Sequence, residues 1–142
     1  MKLYVDIGNS KSKWSLVENQ IDQRSGSFFN HDIEEFVVPD DIDEVLIASV
    51  GREEYENILI SKLKFTCKNI IFAQIDKQLL EINYSNELGI DRWLGALAVT
   101  KRTTNNAILI DAGSAVTIDF IRNDSPRPIF EGGLILPGLH LF

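Results

Sequence analysis

Asp6-Ile7-Gly8-Asn9-Ser10, with Lys13 three residues on, is the first stretch whose residue types and spacing suit chemistry. An aspartate closing an apolar strand is costly to bury without a role. Gly8 lets the backbone turn tightly, and Asn9 and Ser10 offer donors to an anion. Such a turn can hold phosphates, with Asp6 orienting a magnesium ion or its waters and Lys13 returning along the next strand to a phosphoryl oxygen. The same residues also suit a plain Asx-turned hairpin with a solvated lysine. Asp111-Ala112-Gly113-Ser114-Ala115-Val116-Thr117-Ile118-Asp119 repeats the design 105 residues later. Strand periodicity puts Thr117 and Asp119 on one face and Ile118 on the other, so the two polar groups can look into a cleft rather than the core. Two Asp-x-Gly turns at equivalent strand ends suit two domains that clamp a nucleoside triphosphate; exposed turn residues are the alternative.

Gly89-Ile90-Asp91-Arg92 opens a helical stretch. There Asp91 can cap the helix with Arg92 as a solvated cation. As chemistry, Asp91 can take a proton from a substrate hydroxyl, and the Arg92 fork can bind a substrate carboxylate. Tyr84, five residues upstream of Gly89, either lines the same pocket or belongs to the core and its rim. Gly132-Gly133 and Pro137-Gly138 read as paired tight turns around Leu134-Ile135-Leu136, bringing backbone N–H groups near a ligand or closing a structural loop. There is no Gly-x-x-x-x-Gly-Lys-Ser/Thr loop and no Gly-x-Gly-x-x-Gly after a strand, so those nucleotide folds are set aside. Cys67 is single and reads as a core residue, which excludes thiolate metal clusters. His31 and His140 stand apart and read as structural or solvated, and Trp14 and Trp93 as packing residues.

These residues need elements to hold them. Leu3, Tyr4, Val5 and Ile7 predict a strand, Ser12 to Val17 its hairpin partner with Lys13 pointing away from the core, and Gln23 to Phe29 a third strand. A short helix falls within Asn30 to Asp43. Val45 to Val50 and Asn69 to Ala73 read as buried strands, with a helix from Arg52 to Leu63 between them. Glu87 to Arg102 carries Leu88, Trp93, Leu94, Leu97 and Ala98 as a helical packing stripe. After Thr103-Thr104-Asn105-Asn106 the opening pattern restarts with strands at Ala107 to Asp111 and Ala115 to Ile121. This predicts an α/β mixed-sheet domain over residues 1–104 and the opening strands of a second, similar domain over 105–142.

Composition narrows the setting. A net charge of -7 with no Lys/Arg cluster excludes nucleic acid as a natural partner. There is no apolar run long enough to span a bilayer and only one cysteine, which sets aside a transmembrane protein and a disulfide-stapled secreted scaffold. The N-terminal MKLYVDIGNS turns polar too early for a signal peptide, so a cytoplasmic protein is expected.

Taken together and in order, Asp6-x-Gly8-Asn9-Ser10-x-x-Lys13, Gly89-x-Asp91-Arg92-Trp93, Asp111-x-Gly113-Ser114-Ala115-x-Thr117-x-Asp119 and Gly132-Gly133-x-Ile135-x-Pro137-Gly138 resemble the type III pantothenate kinases. The resemblance spans nearly the whole chain and about the first half to three fifths of a typical member. It implies the acetate and sugar kinase, heat-shock protein and actin superfamily fold, with ribonuclease-H-like domains around ATP, and a homodimer. It implies phosphorylation of pantothenate, the first step of coenzyme A synthesis, with magnesium and a monovalent cation, potassium or ammonium. On this resemblance Asp6, Gly8, Asn9, Ser10 and Lys13 form the first ATP-phosphate element and Ser114 a second contact. Asp111 marks the monovalent cation site. Gly89, Ile90, Asp91 and Arg92 form the pantothenate element, with Asp91 as proton acceptor, Arg92 near the carboxylate and Tyr84 in the pocket. Ser10 and Ser114 stand where threonine is common, which keeps the oxygen. The rival expectations are a nucleotide-binding module of the same fold without turnover, half of a split kinase, and a sugar or acetate kinase relative.

Overall fold

In strand β1 (Lys2–Ile7) every second side chain is apolar and buried, with Leu3, Val5 and Ile7 at 3% exposure or less. A strand with that alternation packs one face inward and leaves the other free for polar groups. The computed structural model describes residues 1–84, 87–124 and 126–138. It forms two compact units, Met1–Ala73 and Gln74–Phe142.

The first unit is a five-stranded mixed sheet in the order β3-β2-β1-β4-β5. β2 (Lys11–Glu18) pairs antiparallel with β1 and β3 (Ile21–Phe29) antiparallel with β2, while β4 (Glu44–Ser49) pairs parallel with β1 and β5 (Ile70–Phe72) parallel with β4. Asn19 and Gln20, at φ 51 and 67, form the two-residue turn between β2 and β3. Both central residues at positive φ match the turn that best follows strand twist. The short helix expected after β3 is a 3₁₀ helix at Asn30–Glu35. Helix α1 (Glu53–Leu63) has Glu53, Glu54 and Glu56 in its first turn and Lys62 in its last, which complements its dipole. It lays Leu59 and Leu63, both fully buried, on the sheet face of Leu3, Val5, Ile7, Val45 and Ile47. Each such burial contributes about 1.5–3 kcal/mol. Cys67 joins this core, as expected, with 3% exposure. β5 departs from the reading as a buried strand: Ile71 is 43% and Phe72 38% exposed, because β5 is the edge of the sheet.

The second unit is a four-stranded sheet ordered β6-β9-β8-β7, made of β6 (Glu81–Ile82), β7 (Ala107–Ala112), β8 (Ala115–Arg122) and β9 (Ile129–Pro137). Helix α2 (Ile90–Thr100) packs Trp93, Ala96, Leu94 and Leu97 against Ile121, Phe130 and Leu109 of this sheet. The helix therefore groups with the second unit, and the division falls at residue 73/74 where the sequence pattern had placed it at 104/105. Gly132-Gly133 and Pro137 do not bracket a separate element. They lie within β9, which pairs with β8 throughout, and Glu131 is the extra residue of a bulge opposite Phe120 and Ile121. On the sheet face away from α2, Ile108, Ile110, Phe120, Leu134 and Leu136 are each at least 43% exposed. No helix among the described residues is long and apolar enough to cross a membrane.

Candidate functional site

Asp6 and Lys13 are directly opposite each other in the β1–β2 pairing. They occupy the face of the first sheet away from α1, since the intervening Val5, Ile7 and Leu16 fill the core. Asp6 is half-buried and Lys13 exposed, so a carboxylate and an ammonium stand side by side at one end of the sheet. Between them the chain turns at Gly8-Asn9-Ser10, with the Gly8 N–H donating to the Lys11 carbonyl at 3.1 Å. Asn9 and Ser10 are exposed at its tip. Gly51 backs the turn: a Cβ there would lie 2.7 Å from Ile7 Cγ2 and 2.9 Å from the Gly8 carbonyl oxygen. The first expected phosphate element is thus one hairpin that brings all five of its residues together.

Two buried residues behind that turn carried no clear signal in the sequence. Asn30 is 1% and Ser12 0% exposed. The Asn30 amide donates to the Gly8 carbonyl at 2.8 Å, its oxygen accepts from the Ser12 hydroxyl at 2.9 Å, and its backbone N–H donates to the Ser10 carbonyl at 3.0 Å.

In the second unit, Asp111 pairs with Thr117 across β7 and β8, and both share the sheet face that carries Asp119. Asp111 and Ser114 are exposed. The turn between them closes through the Gly113 N–H on the Ala115 carbonyl at 2.8 Å and the Gly138 N–H on the Ser114 carbonyl at 3.1 Å. A Cβ on Gly138 would sit 2.3 Å from the Gly113 carbonyl oxygen, so only glycine lets β9's end approach this turn. Gly51 and Gly138 therefore back the two Asp-x-Gly turns in the same way, each inside its own unit.

Gly89 caps α2 and Asp91 lies in its first turn, half-buried, with Oδ1 accepting the Arg92 N–H at 2.8 Å. That satisfies one of the N–H groups a helix start leaves open. Ile90 packs on the second core. Arg92 is not a solvated cation: it is 6% exposed and Asp119 is 0%. Nη2 donates to Asp119 Oδ1 at 2.5 Å, and Nε to Oδ1 at 3.1 Å and Oδ2 at 3.3 Å. Hydrogen bonding to Asp119 raises the guanidinium pKa above its ordinary value, against the opposing effect of burial. Asp119 shares a face with Thr117 as expected, but it faces this buried arginine instead of a cleft, because an ion in a core requires a counter-ion. The remaining nitrogen, Nη1, donates to the Tyr84 hydroxyl at 3.5 Å. The guanidinium lies 5.1 Å from the Tyr84 ring and 5.4 Å from that of Phe130. Tyr84 and Arg92 are thus brought together, and Gly133 makes room for them: a Cβ there would lie 2.2 Å from Asp119 Oδ1.

Among the described residues four polar or charged side chains are buried, and they form two partnerships, Ser12 with Asn30 and Arg92 with Asp119. The second was legible in principle. An aspartate inside the apolar run of β8 needs a buried cation, and Arg92 is the lone cation on the apolar helix α2. His31 stacks on Phe29 at the surface and ion-pairs with Asp32 at 3.3 Å when protonated; His140 lies outside the described residues. No group of three or more His, Cys, Asp or Glu side chains that could hold a metal occurs among the described residues. The donor set fits magnesium only as a metal carried on phosphates and water with one protein carboxylate, of which Asp6 is the candidate, a common mode for that ion.

Comparison with known proteins places this architecture. A crystal structure of a conserved Baf family protein from Campylobacter jejuni, described as a transcriptional activator, superposes with a TM-score of 0.60 and 27% identity over 98% of this chain and 56% of that one. The ethanolamine utilization protein EutJ from Carboxydothermus hydrogenoformans shares the fold, with a TM-score of 0.51 and 13% identity over 96% of this chain and 52% of its own. Type III pantothenate kinases of Teredinibacter turnerae and Pseudoalteromonas translucida are 33% and 35% identical over 98% and 99% of the chain. The chain spans 59% and 58% of those relatives' lengths. The family model for type III pantothenate kinase matches residues 2–142, and with motifs, fold and relatives in agreement, the chain belongs to the type III pantothenate kinase family.

Proposed function

We propose that this chain forms the nucleotide-phosphate and pantothenate elements of a kinase that transfers the γ-phosphoryl group of ATP to the primary hydroxyl of pantothenate. The family match over residues 2–142 carries this reading. The side-by-side Asp6 and Lys13 and the buried seat of Arg92 support it. The hairpin of Asp6, Gly8, Asn9, Ser10 and Lys13 binds the ATP phosphates, Lys13 offsetting charge on the transferring oxygens and the turn's N–H groups cradling them. Ser114 adds a second phosphate contact from the β7–β8 turn, and exposed Asp111 holds the monovalent cation. Asp6 would hold magnesium carried in with ATP, directly or through its waters, and that ion would supply charge compensation to the phosphates.

Asp91 accepts the hydroxyl proton as that oxygen attacks phosphorus. Its position in the first turn of α2 fixes it on a rigid element, which suits a reaction governed by positioning. Arg92 presents Nη1, the nitrogen not bonded to Asp119, to the substrate carboxylate beside Tyr84. Gly89 and Ile90 shape the backbone around that pocket. The ribonuclease-H-like identity of each unit and a homodimeric, cytoplasmic enzyme belong to the same reading.

The test is pantothenate-dependent ADP formation from MgATP by the full protein carrying this chain, with potassium supplied and then omitted. ADP release that requires both pantothenate and potassium is expected. ATP binding with no pantothenate-dependent release overturns the kinase reading in favour of a non-catalytic nucleotide-binding module. A panel with sugars and acetate separates related kinases.

A further inference from the structure

We infer that Asn30 is a positioning residue for the nucleotide phosphates, acting through the Gly8-Asn9-Ser10 turn with Ser12 as its orienting partner. The inference rests on the reading of that turn as a phosphate element. Asn30 touches the turn at two points, the Gly8 carbonyl through its amide and the Ser10 carbonyl through its backbone N–H, and its side-chain oxygen accepts from the Ser12 hydroxyl in β2. A peptide unit is planar and trans, so its N–H points opposite to its carbonyl. Drawing the Gly8 carbonyl inward to Asn30 therefore turns the Asn9 N–H the other way, toward the exposed tip of the hairpin. The Gly8 carbonyl, which can only accept, settles that the NH₂ end of the amide faces it, and the Ser12 hydroxyl donates to the oxygen at the other end and so anchors the side chain in that pose.

A purely packing role does not require this chemistry. Asn30 is 1% exposed beside an apolar core, where an aliphatic side chain would pack without needing partners. Both side-chain ends are used, and the one aimed at the turn donates to the carbonyl whose orientation sets the neighbouring N–H. Asn30→Asp keeps the shape and the Ser12 bond but replaces the donor to Gly8 with an acceptor, so that carbonyl is repelled. Ser12→Ala leaves the buried Asn30 oxygen without its donor, which loosens the side chain's hold on the Gly8 carbonyl, and does not alter the turn's own residues.

The experiment compares the affinity of the full protein for MgATP with that for AMP, by titration calorimetry, in wild type, Asn30→Asp and Ser12→Ala. The ATP-to-AMP ratio isolates contacts to the outer phosphates from general loss of fold, which weakens both ligands together. Loss of a hydrogen bond to a charged group predicts a ratio lower by about tenfold in Asn30→Asp, and by a smaller factor in Ser12→Ala. An unchanged ratio in either folded variant overturns the inference, and Ser12→Ala decides alone if Asn30→Asp does not fold. A wild type that prefers ATP no more than AMP overturns the phosphate reading of the turn itself, and the inference with it.

Discussion

Replacing Asp119 tests whether the buried arginine depends on its one charged partner. Arg92 is 6% exposed and directs Nε and Nη2 at Asp119, itself fully buried, so Asp119→Ala leaves a guanidinium with no counter-ion inside the second core. Breaking such a pair from one side costs about 3–5 kcal/mol, a large share of the roughly 5–15 kcal/mol that holds a domain together. Asp119→Asn retains the volume and one acceptor, so it falls below that range but still above about 1 kcal/mol. Removing both charges in Arg92→Met with Asp119→Leu restores most of the loss, since apolar replacement of a buried pair is often neutral or better. Chemical denaturation of wild type, Arg92→Met, Asp119→Leu and the double variant, analysed as a double-mutant cycle, gives the coupling directly. Asp119→Ala within about 0.5 kcal/mol of wild type would refute the argument that the pair is a closed unit. In the active protein Asp119→Ala raises KM for pantothenate more than KM for ATP, because the carboxylate that holds the Arg92 fork and so aims Nη1 is lost.

Asp91→Asn lowers turnover by about 10²-fold or more with little change in ATP affinity, measured by steady-state kinetics and nucleotide titration. Unaltered turnover would remove Asp91 as proton acceptor. Glu131 accepts hydrogen bonds from Asn83 and Arg122, and these hold its carboxyl below the ordinary value of 4.5. A lowered folded pKa contributes stability that is present above about pH 4.5 and is lost as pH falls through the folded value. Glu131→Gln should therefore flatten the acid limb of the stability curve there, seen by urea denaturation at several pH values. Gln20 sits at φ 67 in a two-residue turn, and Gln20→Gly should raise stability by about 0.5–1 kcal/mol by thermal unfolding.

Apolar patterning, alternating in β1 and β2, near-continuous in β4 and at helical spacing in α1, was enough to read these elements, because each packs on a core its own sequence neighbours build. It failed at β5, where Ile-Ile-Phe has the pattern of a buried strand but lies at a sheet edge that only tertiary pairing reveals. It failed again at β9, where paired glycines suggested turns; Gly133 is instead the space left for the Arg92–Asp119 pair. The hairpin of Asp6 to Lys13 was legible because its residues are adjacent in sequence. Asn30 was not, since its bond to the Gly8 carbonyl crosses 22 positions and an asparagine opening a short helix has many ordinary explanations.

The interior partnerships restrict how this chain can drift. Ser12 with Asn30, and Arg92 with Asp119, are each mutually dependent, so a first replacement at either member passes through a protein worse than both the old and the new combination. Lineages should therefore retain these positions or exchange them as sets, and columns 92 and 119 of a deep family comparison should covary more strongly than the exposed strand residues around them.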